Sequence, residues 1–136
     1  MNAASVVVDF PTREGDSVIA SGRIVGGSRA LRQVMQQVDA IVLPTLPVAA
    51  IPLEKVAQDI DIGGVTQNAG TAFLRLTMPF NLAGLPAVSL PCGFTTDGLP
   101  VGLQMAGKPF EEATVLRMAH AYQQLTDWHR REPATP

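Results

Sequence analysis

Cysteine is almost missing from this chain: Cys92 is the single thiol among 136 residues. An internal disulfide and a multi-cysteine metal site are thereby excluded. Histidine is scarce as well. His120 and His129 stand alone, without ligand spacing to each other or to Cys92, so no metal and no cofactor is expected. No apolar run approaches the roughly 20 residues of a membrane span, so no membrane partner is expected. Basic residues are scattered, with one small cluster at His129-Arg130-Arg131, and the formal net charge is −2. That balance gives no electrostatic footprint for nucleic acid. The N-terminus lacks a basic region followed by an apolar core, so no signal peptide is read and a reducing cytoplasm is the expected compartment.

What the chain does have is apolar residues, 46% of the total, with a mean hydropathy of +0.19. A chain of this length is most simply one domain and buries about two-thirds of its unfolded surface. The apolar excess has two readings. Either it fills a well-packed core, or part of it belongs against protein outside this chain.

The pattern along the chain reads as α/β. Ser5-Val6-Val7-Val8 suits a short strand ended by Pro11, and residues 12–16 read as a turn. Residues 1–28 are otherwise poorly defined. Ala30, Leu31, Val34, Met35 and Val38 fall at helical spacing and predict a helix over 29–38, with Arg32, Gln33, Gln36 and Gln37 facing away and Ser28 as N-cap. A start before Gly22 would cost about 1 kcal/mol at each interior glycine. The run Ala40-Ile41-Val42-Leu43 lacks alternation and predicts a strand buried on both faces. Residues 48–70 read as a long connection with a short helix at 53–58; a loop of that length is functional or packs on something else. A helical turn or two is expected at 71–76, then a loop fixed by Pro79 and Gly84.

Val88, Leu90 and Cys92 share one face of a strand, and Val101, Leu103 and Met105 one face of the next. Thr95-Thr96-Asp97-Gly98 between them is a turn signal, so an antiparallel hairpin is predicted at 87–106. Pro91 cannot donate to a ladder and calls for a strand edge or a bulge. Pro109 can open a last helix, with Glu111 and Glu112 suited to its first turn. Its stripe is Val115, Met118, Ala119, Tyr122 and Leu125, with His129, Arg130 and Arg131 at its end and Pro133 beyond.

Several segments carry a resemblance. They are Asp39-Ala40-Ile41-Val42-Leu43-Pro44-Thr45-Leu46-Pro47, Asn81-Leu82-Ala83-Gly84-Leu85-Pro86-Ala87, Pro91-Cys92-Gly93-Phe94, Gly98-Leu99-Pro100-Val101-Gly102-Leu103-Gln104, Phe110-Glu111-Glu112-Ala113-Thr114-Val115-Leu116 and Thr126-Asp127-Trp128-His129. In this order they resemble the C-terminal part of the amidase signature family, enzymes that hydrolyse carboxamide C–N bonds. The resemblance covers roughly residues 29–133. It implies that 29–136 is the C-terminal part of an amidase domain, contributing to a mixed β-sheet flanked by helices.

The family's chemistry uses a lysine, a cis-configured serine and a nucleophilic serine, with backbone N–H groups holding the oxyanion. A serine hydroxyl needs a neighbouring base to attack an amide, and preorganised donors stabilise the charge that develops. The resemblance places that set well upstream of the Pro-Thr strand. This chain has no such region ahead of Asp39, and its two lysines, Lys55 and Lys108, lie in other contexts. Gly26-Gly27-Ser28-Arg29 has a superficial likeness to the nucleophile loop but sits immediately before a helix, where Ser28 reads as a cap. No catalytic residue is therefore expected.

For substrate contact the resemblance leaves Thr45, near the pocket wall, and Asn81, whose amide satisfies loop backbone or shapes the pocket floor. Gln104 has the same standing as Asn81, and Cys92 reads as a small buried thiol. The family's tRNA-dependent amidotransferases carry an acidic residue where this chain has Leu74, so the resemblance points to general amidases. The expected partners are an N-terminal amidase half or a second copy, with a small amide substrate only in a complete enzyme. The alternative is a non-catalytic binding or assembly module that kept the fold.

Overall fold

The computed structural model describes residues 28–132, with side chains from Leu31 onward. The short strand and turn expected before Pro11 and Gly15, and Pro133, lie outside the described residues. Ser28 is the first residue of helix α1 (Ser28–Val34); its side chain, and so its role as a cap, also lies outside them. α1 is shorter than the predicted 29–38, although Met35 N–H still bonds to Leu31 O at 3.0 Å. Leu31 and Met35 are buried, whereas Val34 is exposed. Arg32, expected to face solvent, reaches across to donate from Nη2 to Ala83 O at 3.1 Å.

Strand β1 (Ala40–Pro44) follows, buried on both faces over its first three residues as its apolar run requires. It pairs antiparallel with strand β5 (Pro100–Gly107), which pairs antiparallel with strand β4 (Ala87–Phe94). The order is β1-β5-β4. The predicted hairpin is therefore present, and so is the irregularity at Pro91: among the described residues β4 is an edge strand, and its register shifts between Pro91 and Gly93. In the turn, Gly98 N–H bonds to Thr95 O and Leu99 N–H to Thr95 Oγ1, each at 3.0 Å. All pairs among the described strands are antiparallel.

Two elements differ from expectation between residues 48 and 84. The long connection contains a hairpin of its own, strands β2 (Asp59–Ile62) and β3 (Val65–Asn68). Gly63 and Gly64 both take positive φ, the geometry of a tight two-residue turn, and Asp61 Oδ1 accepts from Gly64 N–H at 3.1 Å. The expected helix at 53–58 contracts to a single 3-10 turn, Leu53–Lys55. Helix α2 (Ala69–Leu74) starts where Asn68 Oδ1 accepts from Thr71 N–H at 3.3 Å. The segment expected as a loop around Asn81 is instead helix α3 (Met78–Ala83). Pro79 does not break it, because in the first turn its missing N–H would have no partner anyway. Gly84 ends it at a φ of 66°, bonding back to Asn81 O and Phe80 O.

Helix α4 (Glu112–Leu125) starts later than Pro109, since the chain first turns at Phe110 with a φ of 65°. Its stripe buries Val115 and Ala119 but leaves Leu125 exposed. Thr126 donates from Oγ1 to Tyr122 O at 3.0 Å and takes an extended backbone. That side chain competes for the carbonyl of the last turn and ends the helix. The basic cluster consequently leaves α4 and joins a separate 3-10 turn, Trp128–Arg130, set against β4.

Alternation along the sheet gives it two covered faces. Ile41 and Ala106 pack with Leu31, Met35, Phe80, Ala83 and Leu85 under α1 and α3. Val42, Leu90, Leu103 and Met105 pack with Ala119 under α4. The result is three layers, helix–sheet–helix. Phe80, 1% exposed, is the largest side chain of the first core. Phe80→Ala is expected to cost about 3–5 kcal/mol, read as a lowered urea midpoint. Leu53→Ala, at a position 89% exposed, should stay within about 0.5 kcal/mol. Equal midpoints for the two variants would contradict this packing.

Candidate functional site

The face under α1 and α3 changes character along the strands. At the Ile41 and Ala106 end it is apolar; at the other end it turns polar. Thr45 follows β1 and continues its pairing, donating N–H to Gly102 O at 2.8 Å. Ser89, on β4, stands opposite Gln104 of β5. Thr45 Oγ1 and Ser89 Oγ meet at 2.5 Å across the central strand. They can do so because the residue beneath them is glycine. A Cβ at Gly102 would lie 2.7 Å from Thr45 Oγ1 and 3.2 Å from Ser89 Oγ. Gln104, one pleat along, is 5% exposed and donates from Nε2 to Leu76 O at 3.1 Å, tying the α2–α3 junction to the sheet.

Thr45 is a candidate from sequence; Ser89 is not. The signal for Ser89 is Gly102, an isolated glycine inside a strand, which marks close approach by another group. Asn81, the other candidate, is not brought to this place by any hydrogen bond. It lies exposed on α3, and its amide makes no hydrogen bond to another described residue. Gln104, not Asn81, carries the structural polar contact.

A hydroxyl pair can hydrogen-bond a carbonyl or an N–H, but a nucleophile needs a base. Neither lysine hydrogen-bonds to the pair. Lys108 Nζ is bound to Asp39 Oδ1 at 3.0 Å beyond the far end of β1, and Lys55 is exposed on the 3-10 turn. His120 is exposed on α4. His129 Nε2 accepts from Arg130 Nε at 3.4 Å in the turn against β4. Cys92 donates Sγ–H to Val101 O at 3.4 Å, and burial pushes its thiol pKa up. That is the setting of a structural thiol rather than a nucleophile. Among the described residues, no group of three or more His, Cys, Asp or Glu could hold a metal ion, and no helix is long and apolar enough to cross a membrane.

A family profile described as Amidase matches residues 23–116, which takes in all three strands of the sheet and the polar pair. The chain belongs to the amidase family. One relative, a glutamyl-tRNA(Gln) amidotransferase subunit of Chloroflexus aggregans (strain MD-66 / DSM 9485), is 47% identical over 107 residues, covering 77% of this chain and 20% of its own length. The crystal structure of the corresponding glutamyl-tRNA(Gln) amidotransferase subunit from Thermotoga maritima is similar with a TM-score of 0.58 and 38% identity, over 71% of this chain and 20% of that one. A crystal structure of an amidase gives a TM-score of 0.65 and 32% identity, over 71% and 22%. The chain thus spans about a fifth of the length of the relatives it matches. Identity is higher to these amidotransferase subunits than to this amidase, so Leu74 alone does not set the chain nearer the general amidases.

Two outcomes follow from the geometry. Gly102→Ala should cost about 1–3 kcal/mol by overpacking, and at least about 1 kcal/mol less in a Thr45→Ala background, since coupled neighbours are not additive. Equal costs in both backgrounds would mean the hydroxyl bridge does not occupy the space above Gly102. Cys92 should react with a maleimide more slowly than a free thiol at every pH below its raised pKa, and at the ordinary rate in urea. Because the folded chain holds that proton longer, stability should fall as pH rises above about 8.5. A native rate equal to the unfolded one would contradict the burial.

Proposed function

We propose that this chain supplies the C-terminal sheet and flanking helices of an amidase-signature hydrolase and does not cleave carboxamide C–N bonds alone. The carrying observation is the family match over residues 23–116 together with a polar site that holds hydroxyls and no base. The lysine–serine–serine set that amidase chemistry uses has no counterpart at that site. In this reading Thr45 and Ser89 form part of the wall of a substrate pocket, offering hydrogen bonds to an amide. The reacting groups come from a complementary portion of an amidase domain. Two of the similar proteins are named as subunits of an amidotransferase, which supports assembly with other chains as the setting in which this one works.

The test is an amide-hydrolysis assay on the purified chain, alone and with the portion of the Thermotoga maritima protein outside the matched segment. No turnover is expected alone, and ammonia release from aryl or alkyl amides is expected on mixing. Thr45→Ala should then weaken the restored activity through KM more than through kcat, because it removes a binding contact and not a reacting group. Turnover by the chain alone, abolished by Ser28→Ala, would overturn the proposal. Binding with no gain of hydrolysis would instead favour a non-catalytic assembly module.

A further inference from the structure

The turn that joins β4 to β5 holds the one aspartate among the described residues that glycine follows, Asp97-Gly98. The other four stand before Ala40, Ile60, Ile62 and Trp128, whose side chains crowd the next peptide nitrogen. Asp39 and Asp127 are also held by Lys108 and Arg131, and Asp61 accepts from Gly64 N–H. The Asp97 carboxylate makes no hydrogen bond or ion pair among the described residues, and residues 96–100 are all exposed. Two groups that can react with each other therefore stand side by side in water. One is a carboxyl carbon, the other the nitrogen of a residue without a Cβ.

The closed turn holds them in the wrong geometry. Gly98 N–H bonds to Thr95 O at 3.0 Å, which makes Thr95-Thr96-Asp97-Gly98 a hydrogen-bonded β-turn. Phe110 is the only non-glycine with a positive φ among the described residues, so neither Thr96 nor Asp97 has one, and the turn is type I. At its third position Asp97 then has a ψ of about 0°. Its own backbone nitrogen eclipses Gly98 N across the Cα–C bond, whereas a five-membered ring through the carboxyl needs Cβ in that place. Gly98, at a φ of 79°, turns the chain back into β5. Thr95 locks the arrangement from three atoms. Its N–H bonds to Leu99 O at 2.8 Å, its C=O accepts from Gly98 N–H, and its Oγ1 accepts from Leu99 N–H at 3.0 Å.

We propose that Asp97-Gly98 is a site of spontaneous isoaspartate formation, and that Thr95 sets its rate by holding the turn shut. When the turn opens, Gly98 N attacks the carbon of the protonated Asp97 side-chain carboxyl. The carboxyl hydroxyl and the proton from nitrogen leave as water, and a cyclic imide closes. Water then adds at the Asp97 main-chain carbonyl carbon. The bond from that carbon to Gly98 N breaks, the nitrogen recovers a proton, and the chain now runs through Asp97 Cβ and Cγ. One water leaves and one returns, so mass and charge are unchanged and no oxidant takes part. The product has an extra methylene in the main chain and a free α-carboxylate at Asp97. The ring closed by Gly98 N–H and Thr95 O gains an atom, so the hairpin that carries Ser89 and Gly102 loosens.

The full chain is aged at neutral pH and physiological temperature. Isoaspartate is counted by enzymatic methyl transfer from S-adenosylmethionine to its α-carboxylate and located by fragmentation of peptides. It should accumulate at residue 97 and not at Asp39, Asp59, Asp61 or Asp127, and should be missing at that position in Asp97→Glu, whose ring would be larger. Thr95→Val deletes the Oγ1 acceptor and should speed formation about fivefold, the share of closed turns that one hydrogen bond secures. Thr95→Ser should keep the original rate. In urea all three chains should react alike, and faster than the folded unsubstituted chain. The aged chain should melt below the fresh one, and Asp97→Glu should age without that loss. Isoaspartate no more frequent at residue 97 than at Asp39 would overturn the site. Equal folded rates for Thr95→Val and Thr95→Ser would overturn the part given to Thr95, as would a folded rate of the unsubstituted chain equal to its rate in urea.

Discussion

The ladders on either side of β5 set the position of everything else described. Even-numbered residues of β5 bond toward β1, through contacts such as Thr45 N–H to Gly102 O, and odd-numbered ones toward β4, as Gly107 N–H does to Pro86 O. Because side chains alternate faces on the same strand, one short sequence has to serve two cores. Residues 103–107 are buried without interruption. Met105 belongs to the core under α4 and Ala106 to the core under α1 and α3. Size matters as much as polarity here. A Cβ at Gly107 would stand 2.5 Å from Val115 Cγ2, so the missing side chain is what lets α4 approach the sheet.

The same strand connects packing to the candidate site. Gly102 leaves room for the Thr45–Ser89 bridge, and Gln104 fixes the α2–α3 junction through Leu76 O. Both residues lie on the face whose apolar end supports Phe80. A polar cluster anchored in this way is set by the backbone of three strands rather than by loops, which favours fixed geometry.

Elements whose signals are local are legible in the sequence. The run Ala40-Ile41-Val42-Leu43 announces a strand covered on both faces. The hairpin at 87–106 is written in alternation, in the turn at Thr95-Thr96-Asp97-Gly98, and in Pro91, which demands the irregularity found there. Two elements are hidden because glycine and proline punctuate structure as well as interrupt it. Gly63-Gly64 separates two strands of only four residues, mostly polar and exposed, and the alternation Asp59-Ile60-Asp61-Ile62 before the turn is short and has no counterpart in Val65-Thr66-Gln67-Asn68 after it. Pro79 suggests a break, yet in a first turn it suits a helix. The end of the last helix is legible too, since its apolar stripe stops at Leu125, the last residue of α4, where the Thr126 hydroxyl bond closes it. The pairing of Thr45 with Ser89 joins positions 44 residues apart; only Gly102 hints at it.

The pairing of β1 with β5 also carries a cost in time. Ala40 meets Gly107 and Pro44 meets Leu103, so β1 is synthesised well before the strand that will hold it. The hairpin of β4 and β5 closes a short loop, whereas β1 closes a long one, and loop entropy must be met before non-local contacts reward it. Closing the hairpin therefore costs less chain entropy than bringing β1 to β5. Until then a short, uncharged, β-branched segment waits without its neighbours, the composition that makes folding intermediates adhere to one another. In this topology the longest exposure falls between the emergence of Ala40 and that of its partner Gly107.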